Sequence, residues 1–553
     1  MNEKLQEYRP DFSPGNWSAR DRHFLDAFAS NPEGIVSVLR NLPPEITGAL
    51  CSRASRASGS LFEVLLQEYI YPIVDGEDRR LAQELEDTVL FLKDHGFRNI
   101  LNNQRAQAFY SKWLSQYGDD SIAQVTGAHV ILWGISQVAM KFIEDQRIGL
   151  EPIEKSTRYV NFGTKVGGRY LYYIPKPDLD RCGLTADYVR TMDLLFGTYV
   201  ELLPPLQAWL RQNFDEKDSI LEKKAFDTLR GLLPMATLGQ VAFRGNAQAF
   251  EYLINRTAKH RLGELRWLAS EIKQELDKEI PSLLLRVADE KSGEYQTYLN
   301  RRYDAVCEFL GNQTRDEIAS KPEVRLVEFD PQSERKIAAG IIFQQTHGSW
   351  VDAMDKAGAL EDAGRRELFE RYLLKRTARW QKVGRAFENA YMRFEIVMDI
   401  GSYRDLHRHR MMTQERQTFS TLHGYDVPAE LHQSGLGGKF EAALQAADRF
   451  FRKIERIDRG LAQYVVPMAY RMRFYQWQNF RQLFWEAELR TASQGHPGYR
   501  FIEHEKYRLV KENFPVIAGF MLVDTNDYMI ARRGTEEKII EKERRLLDQL
   551  KKK

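Results

Sequence analysis

The stretch RTAKHRLGELRWLASEIKQELDKEIP, Arg256 to Pro281, decides the architecture, because the chain carries it twice. RTASQGHPGYRFIEHEKYRLVKENFP, Arg490 to Pro515, aligns with it without a gap at an offset of 234 residues. Both copies open on Arg-Thr-Ala and close on Pro. Both place an Arg eleventh (Arg266, Arg500) and a Glu sixteenth (Glu271, Glu505). Upstream, LLPMAT (Leu232 to Thr237) matches VVPMAY (Val465 to Tyr470), and an Asn follows in each copy, Asn246 and Asn479. Weak identity in a consistent order reads as a tandem duplication. The competing reading is two unrelated amphipathic helices that share a few residues.

Outward from the repeat, the chain divides into an N-terminal extension at 1–90 packed on a first unit at 91–282, a linker at 283–322, and a second unit at 323–553. Val324, Leu326 and Phe329 lie in a short run between Pro322 and Pro331 and predict a strand. The run from Glu367 to Asp399 has apolar residues at three and four positions and reads as helix. EEKIIEKERRLLDQLKKK at the end reads as a charged helix. The 553 residues are 43% hydrophobic with a formal net charge of +2, so any phosphate binding must come from local patches. Cys51, Cys182 and Cys307 are far apart and form no CxxC pair, which argues against a disulfide framework or a zinc site. The start has no apolar signal core, and no run is long enough to span a membrane. The expectation is a cytoplasmic protein.

Three polar patterns carry chemistry. LHRHRMMTQERQTFS, Leu406 to Ser420, sets His407, Arg408, His409 and Arg410 side by side. Such a cluster is stable in water or against an anion, and arginine's fork suits phosphate. Surface and phosphate site are both open at this point. In EKSTRY, Glu154 to Tyr159, alternate residues of an extended segment would turn Glu154, Ser156 and Arg158 to one side. That set could hold a phosphorylated ring, or could be a strand's exposed polar face. In WQNFRQLFWEAELRTA, Asn479 and Arg490 are 11 residues apart, about three helical turns, with Arg481 between. They either reach into a cleft or snorkel beside a core stripe.

Together these residues resemble the flavin-dependent thymidylate synthase family (ThyX), whose signature is RHRxxSxNExSxRY. The second half keeps RHR as Arg408, His409 and Arg410, with Thr413 at the Ser position, but in QERQTFST only Glu415 could serve the damaged ExSxRY, after a one-residue deletion. The first half has Asp145, Gln146 and Arg147 in place of RHR, yet keeps EKSTRY complete. Its distal helix keeps Asn246 and Arg256, has Gln248 for the intervening Arg, and is one residue short. QYGDDSIAQ (Gln116 to Gln124) and RAFENAY (Arg385 to Tyr391) are similar to the family's upstream stretch without its histidine. The resemblance covers most of 100–282 and 323–516. It implies an α+β fold of two tandem units, each of long helices packed on a small antiparallel sheet.

It also implies reductive methylation of dUMP to dTMP. FAD would be the cofactor, with methylenetetrahydrofolate and NADPH as co-substrates. By that resemblance Arg408, His409, Arg410, Asn479 and Arg481 bind FAD. Glu154, Ser156 and Arg158 bind dUMP, and Arg490 both binds the nucleotide and acts on its ring. The halves would complement each other's losses, and a homodimer would imitate the family's tetramer. Other readings remain open: a relative acting on another pyrimidine nucleotide, or a non-catalytic nucleic-acid binder using the Arg and aromatic residues of RMRFYQWQNFRQLFW. The near-neutral charge speaks against the last. A metal site at His407, His409 and His423 has little support, since i and i+2 residues diverge on a helix. No membrane or nucleic-acid partner is expected.

Overall fold

The structure is a computed structural model that describes residues 3–96, 103–116, 118, 120–310, 318–528 and 544–545. The charged C-terminal helix read from the sequence falls almost wholly outside the described residues, as do two residues of QYGDDSIAQ. Two compact units form: Met1–Glu317 with Val427–Pro467, and Ile318–Asp426 with Met468–Lys553. The fold is α+β, with one four-stranded antiparallel sheet in each unit.

In the first unit the sheet order is β1 (Val36–Leu39), β2 (Gly127–Ser136), β4 (Leu238–Asn246), β3 (Leu150–Glu154). In the second it is β5 (Glu323–Phe329), β6 (Tyr391–Asp399), β8 (Arg471–Asn479), β7 (Thr413–Arg416). The two orders are the same, which gives the duplication a structural form. The local cause is a strand that runs straight into a helix through a capping side chain, twice per unit. Ser136 caps α1 (Gln137–Glu144), and Asn246 caps α2 (Ala247–Thr257). Asp399 caps α4 (Ile400–Leu406), and Asn479 caps α5 (Phe480–Arg490). Each cap oxygen accepts a backbone N–H that the first helical turn leaves orphaned. The long repeats that opened the sequence become α3 (Gly263–Asp277) and α6 (Pro497–Asn513). Their shared arginines act alike. Arg266 donates to the carbonyls of His260 and Arg261, and Arg500 to those of Thr491 and Ala492. Each closes the turn before its helix.

The strand read at Val324 to Phe329 is β5. The helix read over Glu367 to Asp399 is corrected: the α-helix Asp362–Leu373 stops early, one 3-10 turn forms at Arg385–Glu388, and Tyr391–Asp399 is strand. The residues Met392, Phe394 and Ile396 alternate inward, a period of two that the mixed spacing upstream concealed. The 283–322 stretch, read as linker, contains the helix Glu290–Leu310. In the first unit the helix Gly437–Glu455 packs on Thr185–Asn213, and Pro234 bridges Pro467, so matched segments of the two repeats lie against one another. The N-terminal residues form a core of their own around Phe24, Leu25, Leu50, Phe62 and Leu65, joined to the sheet through Ile131 and Ala242. Among the described residues, no helix is long and apolar enough to cross a membrane.

Candidate active site

In the second unit, α4 ends at Leu406 and the chain turns through His407 to Met412 before β7 pairs with β8. That turn delivers His409 to α5. Arg490 Nε donates to His409 Nε2 at 2.8 Å, and the other ring nitrogen lies 3.3 Å from the Gln482 amide. A ring nitrogen that accepts from a guanidinium carries no proton, so Nε2 is the accepting side of the ring. Asp405 Oδ1 stands 3.8 Å from both Arg408 and Arg490, between the two guanidiniums. Arg490 is nearly buried and also lies over the Tyr499 ring at 5.5 Å. Arg408 and Arg410 are exposed, so two cationic groups of the sequence cluster face solvent. His409 and His407 are buried.

The distal residues separate. Asn479 is the cap of α5, its side-chain oxygen accepting from Gln482 N at 2.9 Å. Arg481 and Arg490 are nine residues apart, which at about 100° per residue puts them on opposite sides of the helix. Arg481 pairs with Glu388 at 2.5 Å. The face Arg490 shares runs through Gln482 and Glu486 at spacings of four.

Beneath it lies a polar core the sequence reading missed. Lys506 on α6, fully buried, donates to Glu486 and Glu503 at 3.0 Å each and to Gln476 at 2.9 Å. Gln476 in turn donates to Glu486 at 2.9 Å, and Gln478 bonds Glu486 and Lys506 once its amide is turned. Burial pushes the Glu503 carboxyl up to about 7 against the pull of the Lys506 ammonium. The visible signal was the i, i+4 polar row Gln482, Glu486, Arg490 inside an aromatic helix, with Glu503 and Lys506 one turn apart on the next. Alternation along β8 turns Phe474, Gln476 and Gln478 to the core and Tyr475 and Trp477 outward, where Arg393 lies over both rings.

In the first unit β3 stops at Glu154, and Thr157 to Tyr159 form a turn, so the expected alternation of Glu154, Ser156 and Arg158 does not extend through the segment. Glu154 is buried and accepts from Lys141 at 3.0 Å through both oxygens. Ser156 Oγ accepts from Arg158 N, and Ser156 N donates to Ser55 O at 2.9 Å. Arg158 Nε stands 3.2 Å from Asp227. The neighbouring Lys155 donates to the carbonyls of Ser58 and Gly59, and burial pulls its ammonium down to about 8. The N-terminal residues therefore close over this segment.

Register settles the alignment of the damaged motif. Glu154 pairs with Val241, five residues before the Asn246 cap, and Arg416 pairs with Phe474, five before the Asn479 cap. Arg416, not Glu415, stands in the place of Glu154. No deletion is needed in the second half; the first half has one extra residue between its Ser136 cap and Glu154, compared with the Asp399 cap and Arg416.

The sequence of the chain matches the profile of the family "thymidylate synthase complementing protein" twice, over residues 81–282 and 325–516. The chain belongs to this family, as a tandem pair of its units. It is 35% identical to a UPF0159 protein of Chlamydia pneumoniae over 94% of this chain and 97% of that one. It is 33% identical to a UPF0159 protein of Chlamydia muridarum over 95% and 98%. A UPF0159 protein of Thermoplasma acidophilum is 30% identical over 79% of this chain and 92% of its own. Among solved structures, a UMP/dUMP methylase, PolB from Streptomyces cacaoi bound with 5-Br dUMP, matches with 20% identity and a TM-score of 0.29, over 37% of this chain and 96% of that chain.

Proposed function

We propose that this protein is a flavin-dependent nucleotide methylase that converts dUMP to dTMP, with methylenetetrahydrofolate as carbon donor and NADPH as reductant. Family membership supports the class. The observation that carries it is the cationic set of the second unit: exposed Arg408 and Arg410 beside an Arg490 held by His409. Guanidiniums facing solvent next to a buried, hydrogen-bonded polar centre fit an anionic dinucleotide with a polar ring. Arg408, His409, Arg410, Asn479 and Arg481 are the FAD-binding set, and FAD, when bound, supplies the two-electron chemistry the protein cannot.

Arg490 is the residue for the substrate ring. His409 and Asp405 fix its guanidinium, so its charge is already oriented when negative charge develops on a pyrimidine. Glu154, Ser156 and Arg158 are the remaining nucleotide-binding set. For a ligand to use them, Lys141 must share Glu154 and Asp227 must share Arg158.

The test is direct. The purified protein should be yellow or take up FAD, and with the folate it should oxidise reduced flavin only when dUMP is present. Arg408→Ala should abolish flavin retention, and Arg158→Ala should weaken dUMP binding while sparing flavin. A protein that binds no flavin under any loading condition would sink the proposal. Turnover of another pyrimidine nucleotide in preference to dUMP is the second reading. It is favoured by Arg416 occupying the place of Glu154, which reverses the charge offered at that position, and a panel of UMP, dCMP and dUMP decides it.

A further inference from the structure

Gln414 lies in β7, directly opposite Gln476. Its side chain is 6% exposed, and neither its amide oxygen nor its amide nitrogen has a hydrogen-bond partner among the described residues. Residues opposite one another in an antiparallel pair put their side chains on the same face, about 5 Å apart. Gln414 therefore extends the polar row of Gln476, Gln478, Gln482, Glu486 and Arg490. The difference is that Gln476 and Gln478 each find Glu486 for the amide nitrogen and Lys506 for the amide oxygen. A buried amide left open on both atoms is costly and rare in a folded chain. The first unit avoids it: counted from the strand pairing, its residue at this position is Pro152, opposite Phe243.

We propose that Gln414 is a ligand-reading residue of the second unit, whose amide takes the imide edge of a heterocycle, a carbonyl beside an N–H. The fit is chemical. A carboxamide offers an acceptor and a donor side by side, and an imide returns a donor and an acceptor at matching spacing. Two ligands of the proposed reaction carry that edge, the uracil of the nucleotide and the pyrimidine ring of the flavin. This inference rests on the function proposed above. The signature motif does not specify this position, so its assignment comes from the orphaned amide alone.

The test is Gln414→Leu, made alongside the near-isosteric Gln414→Met in case the branched side chain does not fit. Wild type and variants are compared by thermal unfolding without ligand, by flavin retained per protein, and by the unfolding shift with dUMP. Removal of an orphaned amide should leave the ligand-free unfolding temperature unchanged or raised. One of the two ligands should bind about tenfold more weakly, as expected for a lost hydrogen-bonded contact. Loss of flavin assigns the edge to the cofactor, and loss of the dUMP shift assigns it to the nucleotide. Unchanged binding of both, with or without a fall in unfolding temperature, overturns the inference alone. A wild type that binds neither ligand overturns the proposed function with it.

Discussion

Each unit buries one lysine between two glutamates, but in different places. In the first, Lys141 sits on the helix after β2 and holds Glu144 and Glu154 at the edge of the sheet. In the second, Lys506 sits on α6 and holds Glu486 and Glu503 under the sheet's centre. Neither triad has a counterpart in the other unit. Five residues after its cap, where the first unit has Lys141, the second has Arg404, and Arg416 replaces Glu154. In the gapless alignment of the repeat, Glu503 and Lys506 face Ala269 and Ile272. Counted from the caps, Gln476 and Gln478 face Phe243 and Gly245. Sheet order and caps stayed fixed while the polar centre moved. The frame of the fold thus does not require polarity at either place. A buried ion triad adds little net stability over a well-packed apolar core. Its retention beneath Arg490 and His409 therefore points to placement of that pair, and its retention at Lys141 to the closing of the EKSTRY segment.

The largest expected effect removes one cation. Lys506→Met leaves Glu486 and Glu503 without their partner in a dry core, and should cost about 3–5 kcal/mol in denaturant unfolding. Lys141→Met should cost a similar amount in the first unit. Grafting the first unit's residues into the second, Lys506→Ile with Glu503→Ala, Gln476→Phe and Glu486→Leu, should recover most of that loss while weakening flavin or nucleotide binding. Recovery of both stability and binding would show that the polar core holds nothing.

The duplication was legible because order along the chain survives divergence, and Asn246 and Asn479 were visible at the same step of each repeat, though not as the caps they are. The sheet orders were not, because β6 lies in a stretch whose mixed spacing imitates a helix. At the site, the sequence showed the arginines but not their partners. Asp405, Gln482 and Glu486 are ordinary residues until the fold sets them against His409, Arg490 and Lys506. The one-residue shortening before Arg256 was visible, and its consequence was not. From cap to arginine the first helix is one residue shorter, so Arg256 is turned about 100° from the direction of Arg490. It lies over the Phe142 ring at 4.6 Å, whereas Arg490 reaches the histidine of the RHR turn.

A middle-sized effect is pH dependence. Burial pushes the fully buried Glu264 carboxyl up to about 7, with the hydrogen bonds it accepts from Ser136 and Tyr464 opposing the rise. Its folded value lies above its unfolded one, so the folded chain holds a proton that the unfolded chain releases. This contribution is fully present below the unfolded pKa and is lost as pH rises toward 7, after which it is flat. Its span is ~3 kcal/mol for a shift of this size. Glu503 has the same sign in the second unit. Urea unfolding between pH 4 and 8 should show the falling slope, and Glu264→Gln should remove the first unit's share of it. A slope unchanged in Glu264→Gln, or stability that rises over this range, would break the parallel between the units.

The smallest effect separates frame from site at one pair of equivalent residues. Asn246 and Asn479 both cap a helix through their side-chain oxygens, accepting from Ala249 N at 2.8 Å and Gln482 N at 2.9 Å. Alanine at either should cost about 1 kcal/mol, the ordinary value of a lost cap. Aspartate keeps the accepting oxygen and favours the positive end of the helix, so Asn246→Asp and Asn479→Asp should each leave stability within a few tenths of a kcal/mol of wild type. Aspartate differs from asparagine in lacking the amide donor and in adding a negative charge. Both differences oppose binding of an anionic cofactor at Asn479, and neither matters at Asn246 if that residue is only a cap. Flavin retention in the two aspartate variants therefore reads function with stability held constant. A fall in Asn479→Asp alone assigns Asn479 to the cofactor, and equal retention in both leaves it a cap like its twin.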